Sequence, residues 1–226
     1  MALLHEDRFV DLPPAQQFGV FLDALRPLMI DGTIPNQPMI INAVCAASAF
    51  WPREHWYEGS DSIPEEVIDR IAQTPGFGRW VMRFALYGDD PVVEHNRRKV
   101  DAAFAAIPGC AITYAKYDGR NLPEMDNPHH VVQAGIPSMA LDSMTRWYGG
   151  EHGGHIGFSC AVPIKGSDGI AIRDLCRQQL NADGLDYSAA IIVTKRCMIH
   201  VALVVFDTEN EAQTRAAYAS TKKMLG

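Results

Sequence analysis

Residues 147–165 read WYGGEHGGHIGFSCAVPIK. Glycines at 149, 150, 153 and 154 and histidines at 152 and 155 run straight into an apolar segment, Ile156 to Ile164. Glycine tolerates φ > 0 and lets backbone approach a neighbour closely, so the first half suits a loop lying against something flat. The second half reads as a buried strand, which places His155 where the loop enters a sheet. Taken alone, these residues fit a flexible glycine turn with two solvated histidines better than a ligand-facing loop.

Downstream of the strand, Ser167 and Asp168 start a helix to about Asp183, with Gly184 as its stop. Tyr187–Thr194 and Met198–Phe206 are two strands around Lys195, Arg196 and Cys197, a hairpin by spacing. Asn210 to Leu225 is a final helix. Upstream, Trp80–Tyr87 reads as a strand, Asp90 and Pro91 open a helix that Pro108 and Gly109 close, and Ala111–Tyr117 is a second strand. Strand–helix–strand therefore occurs twice, over 80–117 and 155–194. That pattern predicts an α+β fold: an antiparallel-rich sheet covered by helices, built from two β-α-β units.

The N-terminal third is less regular. Residues 1–13 look extended. Phe18, Phe21, Leu22 and Leu25 fall at helical spacing, which predicts a helix from about Pro14 to Arg26 stopped by Pro27. Residues 39–50 are apolar and alanine-rich, with a strand expected at their start. Ser62 with Glu65 makes a capping box for a helix over Ile63–Gln73. The stretch 118–146 is irregular, with a short helix expected at 128–134. One domain is expected over 1–226, its core in 79–226 and residues 1–78 packing on that core.

Composition narrows the function. The 226 residues are 47% hydrophobic and 21% charged, ordinary for a globular protein. No apolar run approaches the roughly 20 residues of a membrane span. The net charge of −7, with scattered basic residues, argues against a nucleic-acid footprint. Five cysteines form no Cys-x-x-Cys pair, so neither structural zinc nor a disulfide framework is expected. His129 and His130 are adjacent, and neighbouring imidazoles do not converge easily on one metal. No secretory signal is visible at the start, so the expected compartment is the cytoplasm, with the periplasm left open.

Several stretches together resemble the flavoprotein family of vanillyl-alcohol oxidase and para-cresol methylhydroxylase. They are residues 23–28 (DALRPL) with 33–36 (TIPN), 84–88 (FALYG), 135–138 (GIPS), 147–163, 184–187 (GLDY) and 196–200 (RCMIH). All occur in the family's order across nearly the whole chain. The resemblance implies the substrate-binding cap domain, an α+β unit on a large antiparallel sheet. It also implies that an FAD-binding domain normally precedes this segment, and that a later stretch carries a Tyr-Arg pair for the phenolate. Neither is expected within these residues, which carry no glycine-rich phosphate loop before residue 149.

The resemblance also suggests roles. His155, placed by the strand after it, matches the position where histidine-linked members attach the flavin; His152 is its rival if the loop is counted from Trp147. Gly153 and Gly154 are the accompanying cofactor-facing glycines. Where other members use a tyrosine link, this chain has Thr145, which cannot serve. Leu141 (beside Asp142), Ala190 and Ile199 stand where the family often places polar groups, which puts phenol chemistry in question or shifts it to another substrate. His200 and Arg146 are the candidate catalytic residues, and Arg146 or Arg196 could neutralise a reduced flavin or an acidic substrate. The expected partners are a small phenolic substrate, an FAD-binding domain or second subunit, and further copies of the chain. The expected function is a cap for hydride transfer from a para-substituted phenol or related alcohol to FAD, this chain alone being inactive. The alternative is a stand-alone, non-catalytic binding or oligomerisation module.

Overall fold

The computed structural model describes residues 4–12, 17–118, 132–137 and 139–226. Seven strands form a single sheet: β1 (Leu4–Leu12), β2 (Met39–Asn42), β3 (Trp80–Gly88), β4 (Ala111–Asp118), β5 (Gly153–Pro163), β6 (Ser188–Val193) and β7 (Cys197–Asp207). Their order is β4-β1-β3-β2-β6-β7-β5, and every adjacent pair is antiparallel. The helices whose bounds lie among the described residues are α1 (Phe18–Ile30), α2 (Ala43–Ser48), α3 (Glu65–Ala72), α4 (Asp90–Ala105), α5 (Gly166–Ala182) and α6 (Glu211–Leu225).

Both expected strand–helix–strand units are present, and each is split by a third strand. β3 and β4 run parallel with β1 between them; β5 and β6 run parallel with β7 between them. β2 joins the two units through β3 and β6. The fold class is thus α+β, an antiparallel sheet covered by helices, as the sequence implied.

One face of the sheet carries the larger core. Phe18, Phe21, Leu22 and Leu25 of α1 and Phe104 of α4 are fully buried against Met82, Phe84 and Leu86 of β3. Cys176 and Leu180 of α5 extend that core over Ile191, Met198 and Ala202. A second core on the opposite face gathers Ile41, Val81, Leu203 and Val205 under α2, α3, Trp147 and Tyr148. Asn42 makes the turn from β2 into α2: its Oδ1 accepts from the Cys45 and Ala189 N–H groups, and its Nδ2 donates to the Tyr187 carbonyl.

Two local expectations are corrected. α1 runs through Pro27 to Ile30 instead of stopping there. An internal proline costs roughly 3 kcal/mol, but burying Leu28 and Met29, each 4% exposed, recovers about 1.5–3 kcal/mol apiece. Ser62 does not cap α3, which begins at Glu65 after Pro64 with no side-chain cap. The Ile63 N–H is instead taken by the Asp186 carboxylate at 2.7 Å, from far along the chain. The expected helix at 128–134 lies mostly outside the described residues, as do His129 and His130. Among the described residues no helix is long and apolar enough to cross a membrane.

Candidate functional site

The quoted stretch folds as a tethered loop followed by an edge strand. A 3-10 turn over Gly150–His152 follows Gly149, with φ +69° at Gly149 and +58° at Gly150. β5 then pairs with β7 in the register His155–Val205, Gly157–Leu203, Ser159–Val201 and Ala161–Ile199. Side chains alternate between faces along a strand. His155, Gly157, Ser159 and Ala161 therefore share one face, and all four are exposed. Beside them on that face stand Val201 and Ile199 of β7 and Ala190 and Ile192 of β6, all half-buried. Among the described residues no α-helix packs over His155, Gly157, Ser159 and Ala161, so β5 presents a flat stripe of small side chains with one imidazole at its end, while Ala190 and Val201 pack against the second core at its inner margin.

The loop's glycines are required by the chain itself. A Cβ on Gly153 would lie 1.9 Å from the Thr145 carbonyl oxygen, and one on Gly154 would lie 2.7 Å from Thr208 Cγ2. The His152 carbonyl accepts from Thr208 N–H at 3.0 Å and Thr208 Oγ1 at 2.7 Å, and its ring stands 3.3 Å from Glu209, both side chains in solvent. Gly157 is different: an added Cβ would meet only Val201, at 4.0 Å. Nothing inside the fold asks for glycine there. Sequence reasoning passed over Gly157, Ser159 and Ala161, though the alternation of small residues after His155 was a readable signal.

A buried network roots the loop. Asp186 accepts from Arg53 Nε and Trp147 Nε1, both at 2.8 Å, as well as from Ile63 N–H, and its own N–H donates to Tyr148 Oη at 3.2 Å. Arg53 also donates to the Tyr57 and Gly59 carbonyls and lies over the Tyr57 and Tyr148 rings. Burial pushes the Tyr148 phenol well above its ordinary range. With every Asp186 contact matched to a donor, the ion pair has the hydrogen bonds a buried charge needs.

His200 lies on the other face. It pairs in register with Cys160 and Ile191, is fully buried, and has Nε2 2.7 Å from Tyr187 Oη. Its Nδ1 has no hydrogen-bond partner among the described residues. Burial pushes its pKa down to about 4, so the ring is neutral at physiological pH. The structure thus does not bring His200 to the surface that holds His155. Arg146 is exposed on the loop side, beside a cleft lined by Asp142, Thr145, Gly150 and Glu151. Between α2 and the sheet lies a small pocket lined by Met39, Ile41, Cys45, Ala46, Met144 and Ala190, together with the buried Arg83. Burial raises the Cys45 thiol to about 11, which removes it as a nucleophile. Among the described residues there is no group of three or more His, Cys, Asp or Glu side chains able to hold a metal.

No family model matches the chain. It is 30% identical over 205 residues to the flavoprotein subunit of 4-cresol dehydrogenase (hydroxylating) from Pseudomonas putida, covering 90% of this chain and 39% of that protein. The fold matches a p-cresol methylhydroxylase solved with substrate bound, at TM-score 0.87 and 26% identity over 98% of this chain and 42% of the other. It also matches a 4-ethylphenol oxidase from Gulosibacter chungangensis, solved with isoeugenol, at TM-score 0.86 and 18% identity over 98% of this chain and 43% of the other. The chain therefore spans about two fifths of the length of the relatives it matches. The resemblance carried by the motifs extends over nearly the whole of it.

Proposed function

We propose, from this family likeness, that the chain is the substrate-facing cap of an FAD-dependent oxidoreductase that oxidises para-substituted phenols. The observation that carries the reading is the stripe His155-Gly157-Ser159-Ala161 on edge strand β5, exposed and uncovered by any α-helix among the described residues. A flat ring system can lie on such a surface because Gly157 projects nothing into it. The residues fit a flavin as one wall of its site: His155 stands at the end of the stripe with its imidazole exposed, in reach of a ring placed there.

When bound, the flavin supplies the electron-pair acceptor for the hydride. This chain's residues do the rest of the wall's work. His155 would hold the flavin, offering a ring nitrogen as the attachment point in the histidine-linked mode. Val201, Ile199 and Ile192 would exclude water from the substrate side, which would strengthen any charge interaction within the closed chamber. Apart from His155 the stripe offers no titratable group, so the cap contributes orientation and dryness while proton handling falls to groups beyond it. An apolar wall suits a para-alkyl side chain better than a hydroxymethyl one, whose hydroxyl would lose its hydrogen bonds there. Arg146 would support the negative charge of a reduced flavin or an acidic substrate from the loop side.

The test is to isolate the native protein from its host and measure bound flavin and turnover of 4-ethylphenol. Flavin co-eluting with the chain, together with turnover that Ala161→Trp abolishes, is expected. A flavin-free protein with no phenol oxidation would overturn the reading. It would favour a non-catalytic module that associates through the same open stripe, as the apolar side chains beside edge strand β5 allow.

A further inference from the structure

At the opposite end of β5 from the loop is a cleft of about 450 Å3, lined by Arg26 and Ile30 of α1, Ile164, and Lys195 and Arg196 at the β6–β7 turn. Its charge is unusual for this chain, whose net charge is −7. Several other cations are tied down: Arg79 to Glu65 and Asp69, Lys99 to Asp31, Lys223 to Asp183. Among the described residues, none of Arg26, Lys195 and Arg196 has an ion pair or a side-chain hydrogen bond. The acid one turn before Arg26, Asp23, is committed to the Gly166 N–H at 2.8 Å.

The turn itself gives no reason for these residues. Thr194 and Cys197 close it firmly, through Thr194 N–H and Oγ1 to the Cys197 carbonyl, both at 2.8 Å. Two-residue hairpin loops favour glycine or asparagine at φ > 0, yet no described non-glycine residue has positive φ. Lysine and arginine are therefore not there for turn geometry. A stiff hairpin holds two cations towards a third, across an isoleucine that is 51% exposed. Like charges so gathered repel unless an anion joins them.

We propose that this cleft is a binding site for a small amphipathic anion, a carboxylate or phosphate ester on a short apolar body. The head group sits among Arg26, Lys195 and Arg196, and the apolar body lies on the half-exposed Ile30, with the buried Ile164 beneath the cleft. The site is separate from the stripe at His155 and does not depend on the flavin reading. Amide shifts in 1H–15N spectra of the full chain provide the test, with acetate, hexanoate and hexyl phosphate as probes. Hexanoate or hexyl phosphate should move the amides of residues 26–30, 164–166 and 195–196 and bind about tenfold more tightly than acetate; the tighter of the two names the head group. Lys195→Gln with Arg196→Gln should weaken that binding about tenfold without lowering the melting temperature. Arg26→Gln on exposed helix surface gives a second variant should the double one fold poorly, and Ile30→Asn should weaken hexanoate while leaving acetate unchanged. Equal binding by wild type and both charge variants, acetate matching hexanoate, or shifts elsewhere would overturn the proposal.

Discussion

His155 and His200 project from opposite faces of the same sheet, because Val205, the partner of His155, and His200 are an odd number of residues apart on β7. One imidazole stands in solvent on the open stripe. The other is sealed under α5 with Tyr187. The two histidines can therefore be tested separately.

His155→Ala removes an exposed side chain and should change stability by no more than about 0.5 kcal/mol. In the flavin-loaded native protein it should abolish the yellow colour that survives acid precipitation, while His152→Ala should leave that colour in place. Colour retained in His155→Ala and lost in His152→Ala would transfer the role to His152.

His200 should make stability depend on pH. In the fold its pKa is held near 4, against an ordinary 6.5 in the unfolded chain. As pH falls below 6.5 the unfolded chain takes up the proton first. The contribution present above 6.5 is thus lost progressively down to about pH 4, by up to about 3 kcal/mol. Urea unfolding at pH 7, 5.5 and 4.5 should show this slope in the wild type and a flatter one in His200→Leu. Asp31, held at about 2 by Lys99 and Thr33, titrates below that window and does not confuse it.

Asp186→Ala should be the most damaging of the single changes considered. It strands Arg53, Trp147 Nε1 and the Ile63 N–H at once, and breaking a buried pair costs about 3–5 kcal/mol. In a double-mutant cycle with Arg53→Met the losses should fall well short of additive. Additive losses, read from chemical denaturation, would mean that the two side chains act independently.

Two glycines on β5 should respond in opposite directions to alanine. At Gly153 the new methyl collides with the Thr145 carbonyl, so Gly153→Ala should destabilise by about 2 kcal/mol or more. At Gly157 there is room, and Gly157→Ala should stabilise by about 0.5–1 kcal/mol by restricting the unfolded chain. Gly157→Leu should fold but lose phenol turnover in the native protein, since its side chain occupies the stripe. Unimpaired turnover in Gly157→Leu would remove the stripe from the active chamber.

The sequence made the alternation of strands and helices readable, because period-2 and period-3.6 patterns are local. It could not say which side of the sheet is covered. β3 is buried on both faces over most of its length, so its residues show no alternation to read. The orientation of His200 follows from its register with Cys160, a contact forty residues away that no local pattern encodes. Ser62 looked like a cap because its rival, Asp186, reaches Ile63 only once the chain has folded. The loop glycines at 153 and 154 are closely packed within the chain, against Thr145 and Thr208, contacts that no local pattern encodes. The glycine with nothing above it, Gly157, lay within an apolar run and drew no notice.

The insertion of β7 between β5 and β6, and of β1 between β3 and β4, also bears on how the chain is made. During synthesis the first unit receives its central strand at the outset, and it can close once residue 118 has left the ribosome. The second unit waits for its middle strand until residue 207. Through that interval β5 and β6 are both out with unpaired edges facing the gap, the kind of surface that recruits another strand. A ribosome pausing between residues 193 and 207 would hold the chain at its most aggregation-prone point, with the sheet beside His155 still missing its central strand.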